Sequence, residues 1–304
     1  MSGMTGGVGR QATTLTGISL ALVAMVCFAT LDSITKYVST GVPVFMAIWF
    51  RYTVQAVLTT AVVLPLCGMR VLRTVHPKFH VLRGVLLLST SLLAFLSLRS
   101  MPVGEFTAIV MIAPLIITLL AATLLGEKVS PLRWALVVGG FVGTLIIIRP
   151  GQDAFEWHTL LPVSLAFCMA WFQTLTSKLA KTEDPATMHL YTGWVASLVC
   201  ALGLPFVWQT LPSSQTWWLI ALVGVLGAIG HFLLILSYQR APASTITPYL
   251  YTQIGFAMLG GWLVFSHVPD RWALLGIAMI AVCGAAGAWL VVRESKIGVE
   301  PADS

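Results

Sequence analysis

Charge is what this chain has least of. Asp, Glu, Lys and Arg make up 9% of its 304 residues, where a soluble domain carries about 25%. A water-facing surface cannot be built from so few charges. Other absences narrow the chemistry. No HExxH, GxGxxG or Walker sequence occurs, so the chain holds no metalloprotease helix, dinucleotide fingerprint or phosphate loop of its own. No GxSxG elbow presents a nucleophilic serine. The five cysteines (Cys27, Cys67, Cys168, Cys200, Cys283) are odd in number, widely spaced and lack a CxxC pair. They read as small apolar packing residues rather than as disulfides or metal ligands. No cofactor and no metal site are expected, and the chain reads as a non-enzyme.

What fills the chain is apolar sequence, 58% of residues, with a mean hydropathy of +0.91. It comes in long runs such as 85–98, 109–125 and 273–292. About 20 such residues cross the hydrocarbon core as a helix, whereas a transmembrane barrel needs short alternating segments. The expected class is an all-α integral membrane protein. Ten helices are predicted, over 16–37, 44–67, 80–98, 103–125, 130–148, 159–179, 187–208, 216–238, 243–265 and 270–292. The polar stretch before residue 16 lacks a cleavage site of the signal-peptide kind, so the first run is expected to stay as a span.

The net charge of +6 lies between the spans, where the positive-inside bias accounts for it without nucleic acid. With the N-terminus inside, twelve of the seventeen Lys and Arg fall on the inner side, Arg83 and Arg133 among them. Three (Arg99, Arg149, Arg271) fall outside, and Lys36 and Arg51 fall within spans. Both termini are expected in the cytoplasm of a cell with the chain in its inner membrane.

The tetrapeptide Arg-Trp-Ala-Leu occurs at 133–136 and again at 271–274. Near it, 97–102 matches 237–242 at an offset of 140, and 24–36 matches 166–178 at 142. The chain therefore reads as two copies of a five-helix unit, 16–150 and 151–292, between tails 1–15 and 293–304. Five is odd, so the second copy enters the membrane from the opposite face. Such an inverted repeat lets two halves exchange conformations around a central site. Each Arg-Trp pair reads as an interfacial anchor at the start of the last helix of its unit.

Short motifs in order along both halves resemble the EamA family of the drug/metabolite transporter superfamily. In the first half they are Met101-Pro-Val-Gly-Glu-Phe-Thr-Ala-Ile, Pro114-Leu, Leu124-Leu-Gly-Glu-Lys128, Gly139-Gly-Phe-Val-Gly143 and Ile146-Ile-Ile-Arg-Pro-Gly151. In the second they are Ala241-Pro-Ala-Ser, Gly261-Trp and Val268-Pro-Asp270. The resemblance implies a secondary carrier of a small organic solute, with a cavity lined by helices 1–4 and 6–9. An amino acid, nucleoside- or cofactor-like solute is implied, with export or exchange placed first. Uptake of a vitamin or an S-adenosylmethionine-like solute is the alternative, and an intramembrane transferase is a more distant one. The expected partners are the solute and the bilayer, with proton coupling and a homodimer left open. One departure is that Gly126-Glu127, ending helix 4, becomes Ser266-His267 at the end of helix 9.

Charges inside spans cost about 2.5–3.5 kcal/mol on insertion scales and are read as functional. Asp32 and Lys36 on helix 1, Arg51 on helix 2 and Glu105 on helix 4 all fall in the outer half. Their partners in the second copy are neutral: Thr174 for Asp32, Thr245 for Glu105, Tyr191 or Gly193 for Arg51. Asp32, Arg51 and Glu105 are candidates for solute binding or gating, and Asp32 and Glu105 for carrying a coupling proton. Lys36 reads as a snorkelling chain end. The second copy offers Trp171, Gln173, His231, Tyr249, Tyr251 and Gln253 instead, with Tyr249 and Gln253 on one face at i, i+4. Pro114 and Pro248 are candidate hinges.

Overall fold

The computed structural model describes residues 3–39, 41–100, 103–148, 160–210, 213–266 and 271–297; at several helical positions, Glu105 among them, it describes the backbone alone. The described residues are helical and contain no strand. The helices are α1 (Gly3–Val38), α2 (Val44–Cys67), α3 (Pro77–Ser100), α4 (Val103–Val110), α5 (Ala113–Leu124) and α6 (Pro131–Ile148). They continue with α7 (Leu160–Leu179), α8 (Pro185–Ala201), α9 (Ser214–Arg240), α10 (Ala243–Leu250), α11 (Thr252–Phe265) and α12 (Arg271–Ile297). Five stretches are long and apolar enough to cross a membrane outright: Thr13–Val38, Val44–Leu72, Pro77–Ser100, Leu160–Leu179 and Ser214–Arg240.

Each expected segment holds a helix, with differences of boundary and of continuity. α8 ends at Ala201, short of the expected 208. The first helix begins at Gly3, within the segment expected as a tail. Helices expected as continuous over 103–125 and 243–265 are each broken, at Met111–Ile112 and at Tyr251. Pro114 explains the first break, because it cannot donate to the carbonyl of Val110 and its ring crowds that carbonyl. The chain there closes short turns instead, Ile112 N–H to Ile109 O (3.1 Å) and Leu115 N–H to Ile112 O (3.2 Å). The second break follows Pro248 by one turn, where Ile254 N–H bonds Tyr251 O at 3.1 Å. Met111 and Tyr251 are 140 positions apart, the offset of the sequence match. Broken helices survive at membrane depth where they line a cavity, and both breaks do so here.

The packing pairs distant helices. α1 lies along α9, α3 along α7, α2 along α8, and α6 along α12. Small residues let them close: a Cβ on Gly230 of α9 would sit 2.7 Å from the ring of Phe28 on α1. The pairing encloses a polar interior between α1, α2, α3, α7 and α9, while large apolar side chains such as Leu66, Trp218 and Leu263 face outward. This inside-out distribution suits a lipid surround.

Candidate functional site

The interior holds a cavity whose empty space is about 850 Å³, counting the part open to its surroundings. α1 contributes Phe28, Leu31 and Asp32; Phe28 and Asp32 share a face because they are one turn apart. α2 contributes Arg51, α3 Thr90 and Ser91, α7 Phe172 and Gln173, α9 His231 and α11 Gln253. The broken α4–α5 stretch supplies the apolar wall, from Phe106 to Ile117. A smaller continuation, lined by Thr35, Val38, Ala47 and Ile48, leads toward the C-terminal end of α1.

Asp32 is 9% exposed, and Gln253 Nε2 donates to its Oδ2 at 2.9 Å. Arg51 faces the same space, yet it makes no hydrogen bond to any described residue, and its Nε is buried without a partner. No ion pair within 4 Å joins it to Asp32. Its guanidinium passes over α9 at Gly227, where a Cβ would sit 3.3 Å from Nε. Arg51 as a whole is half-buried, and its guanidinium lies over the Tyr52 ring, 5.3 Å from the centroid, so its hydrogen-bonding capacity is left unused among the described residues. Gln173 is held through its Oε1 by the hydroxyl of Tyr238, which leaves its Nε2 unbonded among the described residues. The His231 ring lies between two phenyl rings, 4.7 Å from Phe28 and 5.8 Å from Phe172. Its Nε2 also lacks a partner. The cavity therefore combines aromatic and aliphatic walls with oriented donors and acceptors.

Of the residues singled out from sequence, Asp32, Arg51, Gln173, His231 and Gln253 meet in this cavity. Three do not. Tyr249 and Tyr251 turn away: the Tyr249 hydroxyl faces Gly287 of α12, and the Tyr251 ring packs on Gly140 of α6. The glycines of α6 and α12 are the reason, because they leave room there for the two tyrosine rings, while Leu250 and Gln253 face the cavity. Trp171 is 49% exposed on the outer side of α7. The side chain of Glu105 lies outside the described residues. Lys36 does not simply reach outward, since its Nζ donates to Leu98 O of α3 at 2.7 Å.

Four side chains of this interior were not singled out from sequence. Phe28 and Phe172 carry no signal in a chain this apolar. Arg83, counted among the inner-side cations at the start of the helix expected over 80–98, is instead fully buried on α3. Its Nε donates to Thr176 Oγ1 (3.0 Å), its Nη1 to Met188 O (3.1 Å), and it stacks over Phe172. Glu183 ties the α2–α3 connection to the α7–α8 connection. Its Oε1 accepts from Thr74 Oγ1 (2.8 Å) and from the backbone N–H of Val75 and His76 (both 3.1 Å). Its Oε2 lies 3.6 Å from His80 Nε2. Burial pushes the Glu183 carboxyl up, but these donors and the histidine outweigh it and hold it below the usual glutamate range. Together Arg83, His80 and Glu183 close the end of the bundle opposite the continuation beside Val38.

Glu127, the acidic residue without a counterpart at 267, caps α10. Its two oxygens accept from Ala243 N–H (3.2 Å) and Ser244 N–H (3.0 Å), favoured at a helix N-terminus. Arg133, expected at the headgroups, is 7% exposed, whereas Arg271 is exposed. The anchor reading therefore fits the second Arg-Trp pair only. Among the described residues no group of His, Cys, Asp or Glu gathers to hold a metal ion.

Comparison with known proteins gives this geometry a context. The sequence model of the EamA-like transporter family matches residues 15–149 and again 157–292. A riboflavin transporter of Vibrio cholerae is 31% identical over 88% of this chain and 91% of its own length. An S-adenosylmethionine uptake transporter of Rickettsia conorii is 28% identical over 88% and 90%. A crystal structure at 20% identity superposes with a TM-score of 0.75, covering 93% of this chain and 98% of its own, a likeness of fold.

Proposed function

This chain belongs to the EamA-like transporter family of multi-pass membrane proteins, and we propose that it carries a planar heteroaromatic metabolite, flavin-like in its ring system, inward across a bacterial inner membrane. The observation that carries the reading is the cavity in which Arg51, free of hydrogen bonds to described residues, and the Asp32–Gln253 pair lie with the aromatic cluster of Phe28, His231 and Phe172. Ring carbonyls suit the guanidinium, and the aromatic walls suit the ring faces. The direction follows the relatives, one of which is named for uptake.

The mechanism proposed is alternating access by two inverted five-helix repeats, split near residue 151, with both termini cytoplasmic. In support, the family model matches twice, the helix breaks are 140 positions apart, and α1–α9 and α3–α7 are equivalent pairs under that offset. The Glu183 cluster closes the cytoplasmic end, and the continuation beside Val38 leads outward. The carrier role needs no catalytic group from the chain.

Purified protein tests the substrate class. Riboflavin fluorescence should be quenched saturably on binding, and lumiflavin, which keeps the ring but lacks the ribityl chain, should compete. Saturable binding of S-adenosylmethionine with none of riboflavin would overturn the flavin-like reading.

A further inference from the structure

Gln253 has an amide that could face the cavity with either end, and the structure fixes which. Its Nε2 donates to Asp32 Oδ2 at 2.9 Å. With the NH₂ end committed to Asp32 by that bond, the carbonyl Oε1 is left toward the cavity. No described residue donates to that oxygen. Asp32 itself is nearly buried, one turn beyond Phe28 on α1. On the facing helix α7, Gln173 is tethered the other way: its Oε1 is held by Tyr238, and its NH₂ end has no partner among the described residues. Two glutamines thus offer the cavity one acceptor and one donor.

We propose that Asp32 is a positioning residue for solute specificity: by holding Gln253 with its carbonyl toward the cavity, it makes the site select solutes that present a ring N–H. Gln253 touches the solute, and Asp32 acts through it. The ligand chemistry is a cyclic imide or ureide edge, an N–H flanked by carbonyls, with a carbonyl for Gln173 and Arg51. This rests on the flavin-like reading above and adds which edge is read and what fixes the reader. An analogue without the N–H leaves the Gln253 oxygen buried and unpaired, and buried polar sites reject such analogues strongly.

The test uses the full chain in proteoliposomes, with labelled riboflavin entry competed by riboflavin or by 3-methylriboflavin, in which N–CH₃ replaces the imide N–H. In the wild type the methyl analogue should compete at least about tenfold more weakly, the effect of one lost hydrogen bond. In Asp32→Asn the partner can donate as well as accept, the Gln253 amide is free to turn, and the discrimination should fall to within about threefold. Asp32→Glu should restore part of it. Gln253→Met should abolish it, and adding Asp32→Asn to that variant should change it no further. Equal competition by both flavins in the wild type, or full discrimination kept in Asp32→Asn or Gln253→Met, overturns the proposal and leaves the flavin-like reading standing. An Asp32→Asn variant that keeps discrimination but no longer accumulates riboflavin under a pH gradient overturns it in favour of a proton-carrying Asp32. No riboflavin entry in the wild type overturns both the proposal and the reading beneath it.

Discussion

Gly84 of α3 lies so close to Val195 of α8 that a methyl group on the glycine would sit 2.5 Å from the valine Cγ1. The same meeting recurs across the bundle, where a methyl on Gly224 of α9 would sit 2.7 Å from Cβ of Val54 on α2. The glycines are 140 positions apart and the valines 141. Each contact joins the two halves of the chain, and each is the other with the halves exchanged.

The first prediction follows from that closeness. A β-branched valine cannot swing aside as a long side chain can. Gly84→Ala and Gly224→Ala should each destabilise the protein by about 1–3 kcal/mol, seen as a lower Tm in detergent micelles. Val195→Gly should rescue the first and Val54→Gly part of the second, because alanine would keep the Cβ met at 2.6 and 2.7 Å and the Arg51 carbonyl still lies 3.0 Å from a methyl on Gly224. Alanine variants as stable as the wild type would show that these contacts are looser than described.

Arg51 separates binding from stability. It makes no hydrogen bond to the described residues, so replacing it breaks none in the empty protein. Arg51→Met should leave Tm unchanged or slightly raised. Riboflavin affinity should fall about tenfold or more, since hydrogen bonds from a charged donor contribute roughly 1.5–3 kcal/mol. Fluorescence titration beside thermal unfolding checks both. A large loss of Tm with unchanged affinity would make Arg51 a structural residue.

Glu183 gives the protein a pH dependence. Its folded carboxyl is held below the usual glutamate range by Thr74, the Val75 and His76 amides and His80, against the opposing effect of burial. A depressed folded pKa contributes stability that is fully present above the unfolded value, about 4.3. That stability is lost as pH falls through the lower folded value. Glu183→Gln should therefore be less stable than the wild type at pH 7, by about 1–3 kcal/mol, and the gap should narrow below about pH 4.5. Tm measured from pH 7 to pH 3.5 checks this, and a gap that stays constant would contradict it.

Orientation is testable in whole cells. With both termini cytoplasmic, a single cysteine at Gln152 should react with an impermeant maleimide and one at Thr182 should not. The reverse labelling would overturn both the orientation and the assignment of the Glu183 cluster to the cytoplasmic end.

Much of this was legible in the sequence because membrane helices announce themselves by length and apolarity. Asp32, Arg51, Gln173, His231 and Gln253 could be picked out because polar groups in such runs are rare and must face protein or a cavity. The rest depends on contacts the pattern does not carry. Tyr249 and Tyr251 pack on the glycines of α12 and α6 instead of lining the cavity, a pairing with the last helix of each half that no local spacing marks. Arg83 turns into the interior because Thr176 and the Met188 carbonyl, 93 and 105 residues away, take its guanidinium. Glu127 and Glu183 draw their roles from backbone amides at least 100 residues away, and no local spacing encodes that. Phe28 and Phe172 were hidden by abundance, since one phenylalanine among many apolar neighbours carries no mark of function.

The central claim is that the cavity opens alternately to the two sides for a flavin-like solute. Counterflow tests it most directly. Proteoliposomes loaded with unlabelled riboflavin and diluted into trace labelled riboflavin should accumulate label transiently above its equilibrium level, then release it. Arg51→Met at equal reconstitution should lose the overshoot. Label that rises monotonically to equilibrium with no overshoot would mean a passive pore, and no entry above protein-free liposomes would mean no carrier for this solute; either contradicts the account.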